Sequence, residues 1–528
     1  MYTKGYEQKL EKLGAFEISS NMLKIAKNNE RHNTFLNAGR GNPNWINTQA
    51  RLAFGRIMCF GVEESRRTMD MGTLAGYTTL DGIGARFDAF LKKGDETDAF
   101  LAGAIQYCVE TLGLEKDGLI KEFADAVIGN NYPVPSRCLV NMEKILNAYL
   151  ESTLYNGVSL KDTTKVFPTE GGTAAICYIF DSLRHNGLLK AGDQIAINIP
   201  IFTPYLQIPR LTGYQLTEIN LQSTEESHWH IPAEEIAKLE DPAIKAFFLI
   251  NPSNPGSHAL TPETLQRIAA VVEKRKDLII ITDDVYGTFV DGFQTVYSVA
   301  PYNTLLVYSY SKLFGVTGWR IGCIAMNEKN VFDELIAKLP EEKQKTLDFD
   351  YSIVTMDPRH LPFIERICAD SRSIGLYHTS GLSTPQQAMM ALLSLTHLVC
   401  KDADAYIETS KKIVRARYHD LLSTIGAQED NDRTNAKYYC LIDVYEIAER
   451  VYDGAFAAWL KANFEEIDFL LHLAEEEGVV LMEGVGFSAT PGTLRVSQAN
   501  LPDDCYKRIA NRVLQLLEEY HRQYEKKA

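Results

Sequence analysis

Lys312 lies in SYSKLFGVTGWRIG (309–322), after two serines, Ser309 and Ser311, and eight residues before Arg320. The stretch before it, TLLVY (304–308), is a β-branched, apolar run of the kind that makes a buried parallel strand. A strand finishing in Ser-Tyr-Ser-Lys delivers an amine to the rim of a sheet, and nothing about folding demands an amine there. Other chemistry-bearing residues end other apolar runs. Asp283-Asp284-Val285-Tyr286 follows LIIIT (278–282), and Asn251-Pro252-Ser253-Asn254-Pro255 follows IKAFFLI (244–250). Gly171-Gly172-Thr173 comes after KVF (165–167) and opens an apolar helix, where backbone N–H groups can bind a phosphate. Pro200-Ile201-Phe202 follows QIAINI.

The elements that must position these residues alternate. Strand-like runs at 165–167, 194–200, 244–250, 278–282, 304–308 and 323–326 are separated by helical patterns. One such helix opens at Thr261-Pro262, an N-cap followed by proline at the first helical position. Alternating βαβ units with apolar strands predict a mostly parallel sheet flanked by helices, an α/β fold. Ligands on such sheets bind beyond the carboxyl ends of the strands, where the residues above converge. Residues from about 90 to 150 carry amphipathic helical patterns and no strand. From about residue 400 the order is helix, strand (KYYCLIDVY), one long helix (AAWLKANFEEIDFLLHLAEEEG), strand (GVVLMEG), strand (LRVSQA) and a terminal helix. This predicts a smaller α+β domain. The expected division is 1–55 as an N-terminal arm and part of the small domain, 56–395 as the large domain with a helical insertion near 90–150, and 396–528 as the C-terminal small domain.

Composition excludes several classes. With 528 residues the chain exceeds one compact core. A net charge of −15 argues against a nucleic-acid or anionic-membrane surface as the main partner, though a local arginine can still bind a small carboxylate. No apolar run of membrane-spanning length occurs, and MYTKGYEQKLEKLGAFEISS is charged and helical in pattern, unlike a signal peptide. The nine cysteines are scattered without metal-ligand spacing, so reduced core thiols in a cytoplasmic protein and no metal site are expected.

Ser309-x-Ser311-Lys312 with Arg320 and Gly322 resembles the cofactor-lysine motif of the class I/II aminotransferases, fold-type I enzymes that use pyridoxal 5′-phosphate. The resemblance runs from about Gly39 to Arg495. It implies that Lys312 carries the cofactor and shuttles a proton, and that Ser309, Ser311 and Arg320 hold the phosphate with Gly171, Gly172 and Thr173. By the family's spacing Asp283 bonds the pyridine nitrogen, and Tyr286 and Asn254 bond the ring hydroxyl. Asp284 is the adjacent alternative, expected to point elsewhere. After Asn254-Pro255 the usual Thr-Gly pair is Gly256-Ser257. Phe202 matches the aromatic that stacks on the cofactor ring, although a core phenylalanine fits the same sequence. Tyr77, in GYTTLDGIGARF, looks like the tyrosine that reaches a partner's cofactor phosphate, implying at least a homodimer, with larger assemblies of dimers open. Arg495, in Leu494-Arg495-Val496-Ser497, resembles the arginine that holds a substrate α-carboxylate.

Length, the helical insertion, LNAGRGNPNW (36–45), NPSNPGS and HTSGLSTPQQA (378–388) together look like the aspartate 4-decarboxylases, a family also described as bifunctional aspartate aminotransferases. The resemblance implies β-decarboxylation of L-aspartate to L-alanine and CO2, with amino transfer to 2-oxo acids alongside. A plain aminotransferase is the alternative, and a non-catalytic amino-acid sensor the more distant one. The sensor needs a basic DNA-binding module that neither end of the chain supplies. The loop 378–385 lacks the arginine with which aspartate aminotransferases hold a distal carboxylate, whereas Arg40 stands in Gly39-Arg40-Gly41. Arg40 is therefore the candidate for that contact, with a loop ion pair as its alternative.

Overall fold

The computed structural model describes residues 9–10, 12–28, 35–210, 214–400 and 404–527. The helical pattern of the first twenty residues lies partly outside them; Ala15–Lys27 is a helix. The main sheet has seven strands: β1 (Thr164–Thr169), β2 (Gln194–Ile199), β3 (Thr217–Gln222), β4 (Ile244–Ile250), β5 (Ile279–Asp283), β6 (Thr304–Ser309) and β7 (Gly322–Asn327). Their spatial order is β1-β7-β6-β5-β4-β2-β3. Strands β4, β5 and β6 are almost wholly buried, which is why they read as continuous apolar runs rather than alternating ones. β3, at the edge, was not legible as a strand because its sequence, TEINLQ, is mostly exposed and polar.

β7 runs antiparallel to both neighbours, with Gly322 opposite Thr169 of β1 and Ser309 of β6. That reversal serves the site. The start of β7 meets the carboxyl ends of β1 and β6, so Arg320 arrives at the same rim as Gly171 and Lys312. The approach is close: a Cβ on Gly322 would fall 2.9 Å from the Gly171 carbonyl carbon, so only glycine fits.

Helices α1 (Thr48–Arg66), α2 (Glu96–Glu110), α3 (Lys116–Ile128) and α4 (Val140–Leu154) form a layer with α6 (Thr384–Leu398). α5 (Gly172–His185), capped by Gly171, packs on β6 and β7. A second core joins the helix Ala15–Lys27 to the C-terminal part of the chain, through α7 (Ala405–Ile425), α8 (Gly454–Asn463), α9 (Glu466–Glu475) and α10 (Asp504–Lys527). Its sheet is β8 (Tyr439–Asp443), β9 (Met482–Glu483) and β10 (Thr493–Ser497), ordered β8-β10-β9.

Two expectations change here. The long helix expected over AAWLKANFEEIDFLLHLAEEEG is two helices, α8 and α9, broken at Phe464. Phe464 is extended, Tyr445 donates to its carbonyl at 3.0 Å, and Asp468 accepts from the Glu465 N–H at 2.7 Å, starting α9 afresh. Periodicity is blind to so short an interruption. GVVLMEG likewise splits: Val479–Val480 pairs in parallel with Leu36–Asn37, while β9 pairs with β10. This pairing ties the N-terminal segment to the elements of the second core. No helix among the described residues is long and apolar enough to cross a membrane.

Candidate active site

Strand ends of the seven-stranded sheet, with Tyr439 and Arg495 of the smaller sheet and Gly41, line a cavity of about 260 Å³. Of the twelve residues the sequence points to for the cofactor, Gly172, Thr173, Phe202, Asn254, Asp283, Tyr286, Ser309, Ser311, Lys312 and Arg320 line this cavity. Arg495 lines it from the opposite side. Gly171 stands immediately behind, beneath Arg320.

One end is built for an anion. Gly171 has φ +89°, and a Cβ there would lie 2.6 Å from Arg320 Nη2. Arg320, itself left-handed at φ 54°, donates among the described residues only to carbonyls, those of Thr317 and Glu170. The Ser309 hydroxyl donates to Ser311 Oγ at 3.0 Å, leaving the Ser311 proton available. With the first N–H groups of α5, these donors converge on one end of the cavity.

At the other end Asp283, the last residue of β5, is buried. Tyr205 donates to its Oδ2 at 2.8 Å and the Val285 N–H to Oδ1 at 3.3 Å. Burial pushes the carboxyl up to about 6, against the Tyr205 bond, the Val285 N–H and the Lys312 charge, which pull it down. A carboxylate so placed gains by meeting a cation, as a protonated pyridine nitrogen would be. Asp284 does not line the cavity. It is buried on the other side, takes a hydrogen bond from Thr282, and burial pushes it up to about 8.

Between the ends, Lys312 Nζ donates to the Gly41 carbonyl at 3.1 Å. Asn254 donates to the Tyr286 hydroxyl at 3.5 Å and accepts from Arg495 Nη1 at 3.0 Å. Arg495 is 1% exposed. Its Nη2 donates to the Gly39 carbonyl at 2.7 Å and contacts Met482 Sδ, its Nε has no partner, and no carboxylate pairs with it among the described residues. A buried guanidinium with an unused N–H could accept a carboxylate as its partner.

The anion donors, the buried carboxylate and the amine together fit pyridoxal 5′-phosphate: phosphate, ring nitrogen and aldehyde each find a chemically matched group.

Sequence reasoning missed two residues. Tyr205, three after Phe202, holds Asp283. Tyr439, in β8, puts its hydroxyl 3.0 Å from that of Tyr286 and its ring 4.3 Å from the Arg495 guanidinium carbon. Only contacts across 78 and 153 residues reveal them. Tyr77 is 65% exposed beyond a short hairpin and lines no part of the cavity. Arg40 is exposed on an adjoining pocket of about 310 Å³ that shares Phe16 and Gly41 with the cavity. Residues 378–385 do not reach the cavity either.

Comparison with known proteins gives a consistent picture. The family described as aminotransferase class I and II matches residues 120–513. A Pseudomonas sp protein named bifunctional aspartate aminotransferase and L-aspartate beta-decarboxylase is 42% identical over 98% of both chains. A Pyrococcus abyssi aspartate aminotransferase is 31% identical over 26% of this chain and 36% of its own. The solved aspartate aminotransferase from Thermus thermophilus with maleate superposes with TM-score 0.61 at 17% identity, covering 97% of this chain and 99% of that one.

Proposed function

The chain belongs to the class I and II aminotransferases, and on that premise we propose that it converts L-aspartate to L-alanine and CO2 with pyridoxal 5′-phosphate, and also transfers the amino group to 2-oxo acids. The observation that carries the amino-acid reading is Arg495, a buried guanidinium that pairs with no carboxylate among the described residues, in one cavity with Lys312. The full-length likeness to a relative named for both activities carries the choice of aspartate.

Bound pyridoxal phosphate supplies an electron sink conjugated to the substrate's amino group. The protein's part is division of labour. Ser309, Ser311, Arg320 and the Gly171–Thr173 amides hold the phosphate. Asp283, oriented by Tyr205, holds the proton on the ring nitrogen. Tyr286 and Asn254 orient the ring hydroxyl, and Phe202 offers an aromatic face. Lys312 carries the cofactor and moves the proton at the substrate's Cα. Arg495 fixes the α-carboxylate. In this reading residues 56–395 are the cofactor-holding domain, with 1–55 and 396–528 supplying the smaller one. Tyr77 would reach the phosphate site of a second copy, making a homodimer the least active unit.

The test is to incubate the pure protein with aspartate and cofactor, with and without a 2-oxo acid, and assay CO2, alanine and oxaloacetate. Alanine and CO2 in equal amounts are expected. Oxaloacetate alone would replace this reading by a plain aminotransferase. For Tyr77, mixing Tyr77→Phe chains with Arg320→Ala chains should restore activity, since some hybrid dimers carry one undamaged phosphate site. No recovery despite subunit exchange would remove Tyr77 from that role.

A further inference from the structure

Two groups in the cavity are each held from two sides. Arg495 Nη1 donates to the Asn254 side chain at 3.0 Å, and its guanidinium carbon stands 4.3 Å over the Tyr439 ring. The Tyr286 hydroxyl accepts from Asn254 at 3.5 Å and lies 3.0 Å from the Tyr439 hydroxyl. Asn254 and Tyr439 therefore grip the same pair of residues. Yet Asn254 belongs to the loop after β4 of the seven-stranded sheet, and Tyr439 begins β8 of the smaller one.

The Asn254 loop closes on itself before it meets β8. The Ser253 N–H donates to the His258 carbonyl at 2.8 Å, the Ser257 N–H to the Ser253 carbonyl at 2.9 Å, and the His258 N–H to Ser253 Oγ at 3.2 Å. Asn254 is thus carried on a small hydrogen-bonded turn that returns at Ser257. Both acceptors of Ser257 then reach across to the other sheet. Its carbonyl takes the Ala436 N–H at 2.8 Å, and its hydroxyl oxygen takes the Tyr439 N–H at 2.9 Å. β8 lies at the edge of its sheet, so this buried N–H is met by a side chain rather than by a neighbouring strand.

The backbone of Ser257 is unusual for its residue type. It is left-handed at φ 64° and 1% exposed. Side chains are strained in that region, whereas glycine adopts it freely. A buried serine in a conformation that suits glycine draws attention to its hydroxyl, the one group glycine lacks.

We infer that Ser257 is a positioning residue: its hydroxyl locks Tyr439 to the Asn254 loop, so that Arg495 and Tyr286 are set as one unit. The inference rests on the reading of Arg495 as the α-carboxylate site. It needs only neutral phenols at Tyr286 and Tyr439, one donating to the other. A guanidinium already held in place costs a substrate less ordering than one that must be gathered on binding.

Ser257→Gly and Ser257→Ala both delete the hydroxyl but differ in backbone, since glycine relieves the left-handed strain and alanine keeps it. Each holoenzyme is titrated calorimetrically with succinate, an unreactive dicarboxylate, and its unfolding midpoint in denaturant is measured alongside. Succinate affinity should fall by about 3–10-fold in both variants, the reach of one hydrogen bond, while Ser257→Ala unfolds at lower denaturant than Ser257→Gly. Affinity that follows the hydroxyl and not the midpoint marks positioning. Wild-type affinity in Ser257→Gly, or losses that follow the midpoint, would overturn the inference; Ser257→Gly decides alone if Ser257→Ala does not fold. If the wild type binds no succinate, or Arg495→Lys binds it equally well, the reading of Arg495 falls and the inference falls with it.

Discussion

The cavity has two halves of different construction. The half proposed to hold the cofactor is made by strand ends of one sheet: Gly171–Thr173 after β1, Asp283 and Tyr286 at β5, Ser309–Lys312 after β6, and Arg320 before β7. The half proposed for the substrate is gathered from places far apart in the chain, Gly41, Tyr439 of β8 and Arg495 of β10. The first is fixed by a buried sheet whose register cannot slip without exposing its apolar strands. The second depends on how the elements of the second core are held against those of the first. The difference teaches where each kind of change should act. A fault in the cofactor half should abolish chemistry; one in the substrate half should weaken affinity or turnover for particular ligands.

The largest effect should come from the amine. Lys312→Ala removes both the covalent anchor and the proton carrier, and turnover should fall by about 10⁴-fold or more. Borohydride treatment of the wild type should attach the cofactor to the peptide containing Lys312. Attachment to another lysine would break the assignment of the cofactor half altogether.

Next is Arg495. Arg495→Ala leaves no partner for the α-carboxylate, which on the scale of buried charge pairs should cost about 2–5 kcal/mol, or tens- to thousands-fold in kcat/KM. Arg495→Lys should recover little, because an ammonium lacks the planar fork and the stacking over Tyr439. Measuring cofactor affinity in the same variants sharpens the comparison. It should hardly change, whereas Arg320→Ala should lower it. Loss of cofactor binding in Arg495→Lys would show that the halves are not separable.

How much of this was legible in sequence follows the same division. The strands and residues of the cofactor half could be read because each chemical group sits within a few residues of an apolar run that predicts its strand. The substrate half yielded Arg495 through its likeness to a family, but Tyr439 carries no local signal: KYYCLIDVY reads as an ordinary strand, and only the fold brings its hydroxyl to Tyr286. Tyr205 was hidden in the same way. Arg40 shows the converse, a residue with a clear local signal that the fold places beside the cavity rather than in it.

A smaller effect should appear where the Asn254 loop meets residues 430–436. His258, next to the Asn254 loop, bonds Asp430 at 2.5 Å, and His230 bonds Asp432 at 2.7 Å. The Ala259 N–H donates to the Thr434 carbonyl and the Ala436 N–H to the Ser257 carbonyl, so this loop is clamped just before Tyr439. The hydrogen bond from His258 holds the Asp430 carboxyl well below the ordinary carboxylate range. A carboxyl lowered on folding stabilises the fold above its unfolded value, near 4, and that contribution is lost as pH falls through the folded value. Asp430→Asn should therefore cost about 1 kcal/mol in denaturant unfolding at neutral pH, with a shrinking difference from wild type below about pH 4. A difference that grows on acidification would refute the clamp's polarity.

The smallest effect belongs to Arg40, and its smallness is informative. If aspartate loses its distal carboxylate as CO2, a tight ion pair there would stabilise the starting state and oppose departure. An exposed guanidinium on a pocket open to water attracts only weakly, since solvent screens it. That suits a group which must guide the carboxylate without retaining it, and it contrasts with Arg495, buried and built to keep its ligand. Arg40→Ala should slow reaction with aspartate by roughly 3–10-fold, corresponding to about 1 kcal/mol. Reaction with alanine, which has no distal carboxylate, should be unchanged. Mixing each amino acid with the holoenzyme and following the cofactor's absorbance gives both rates on one protein. Equal losses for the two would take Arg40 out of the substrate half, and a loss on aspartate as large as that of Arg495→Ala would mean that the distal carboxylate is held as firmly as the α-carboxylate.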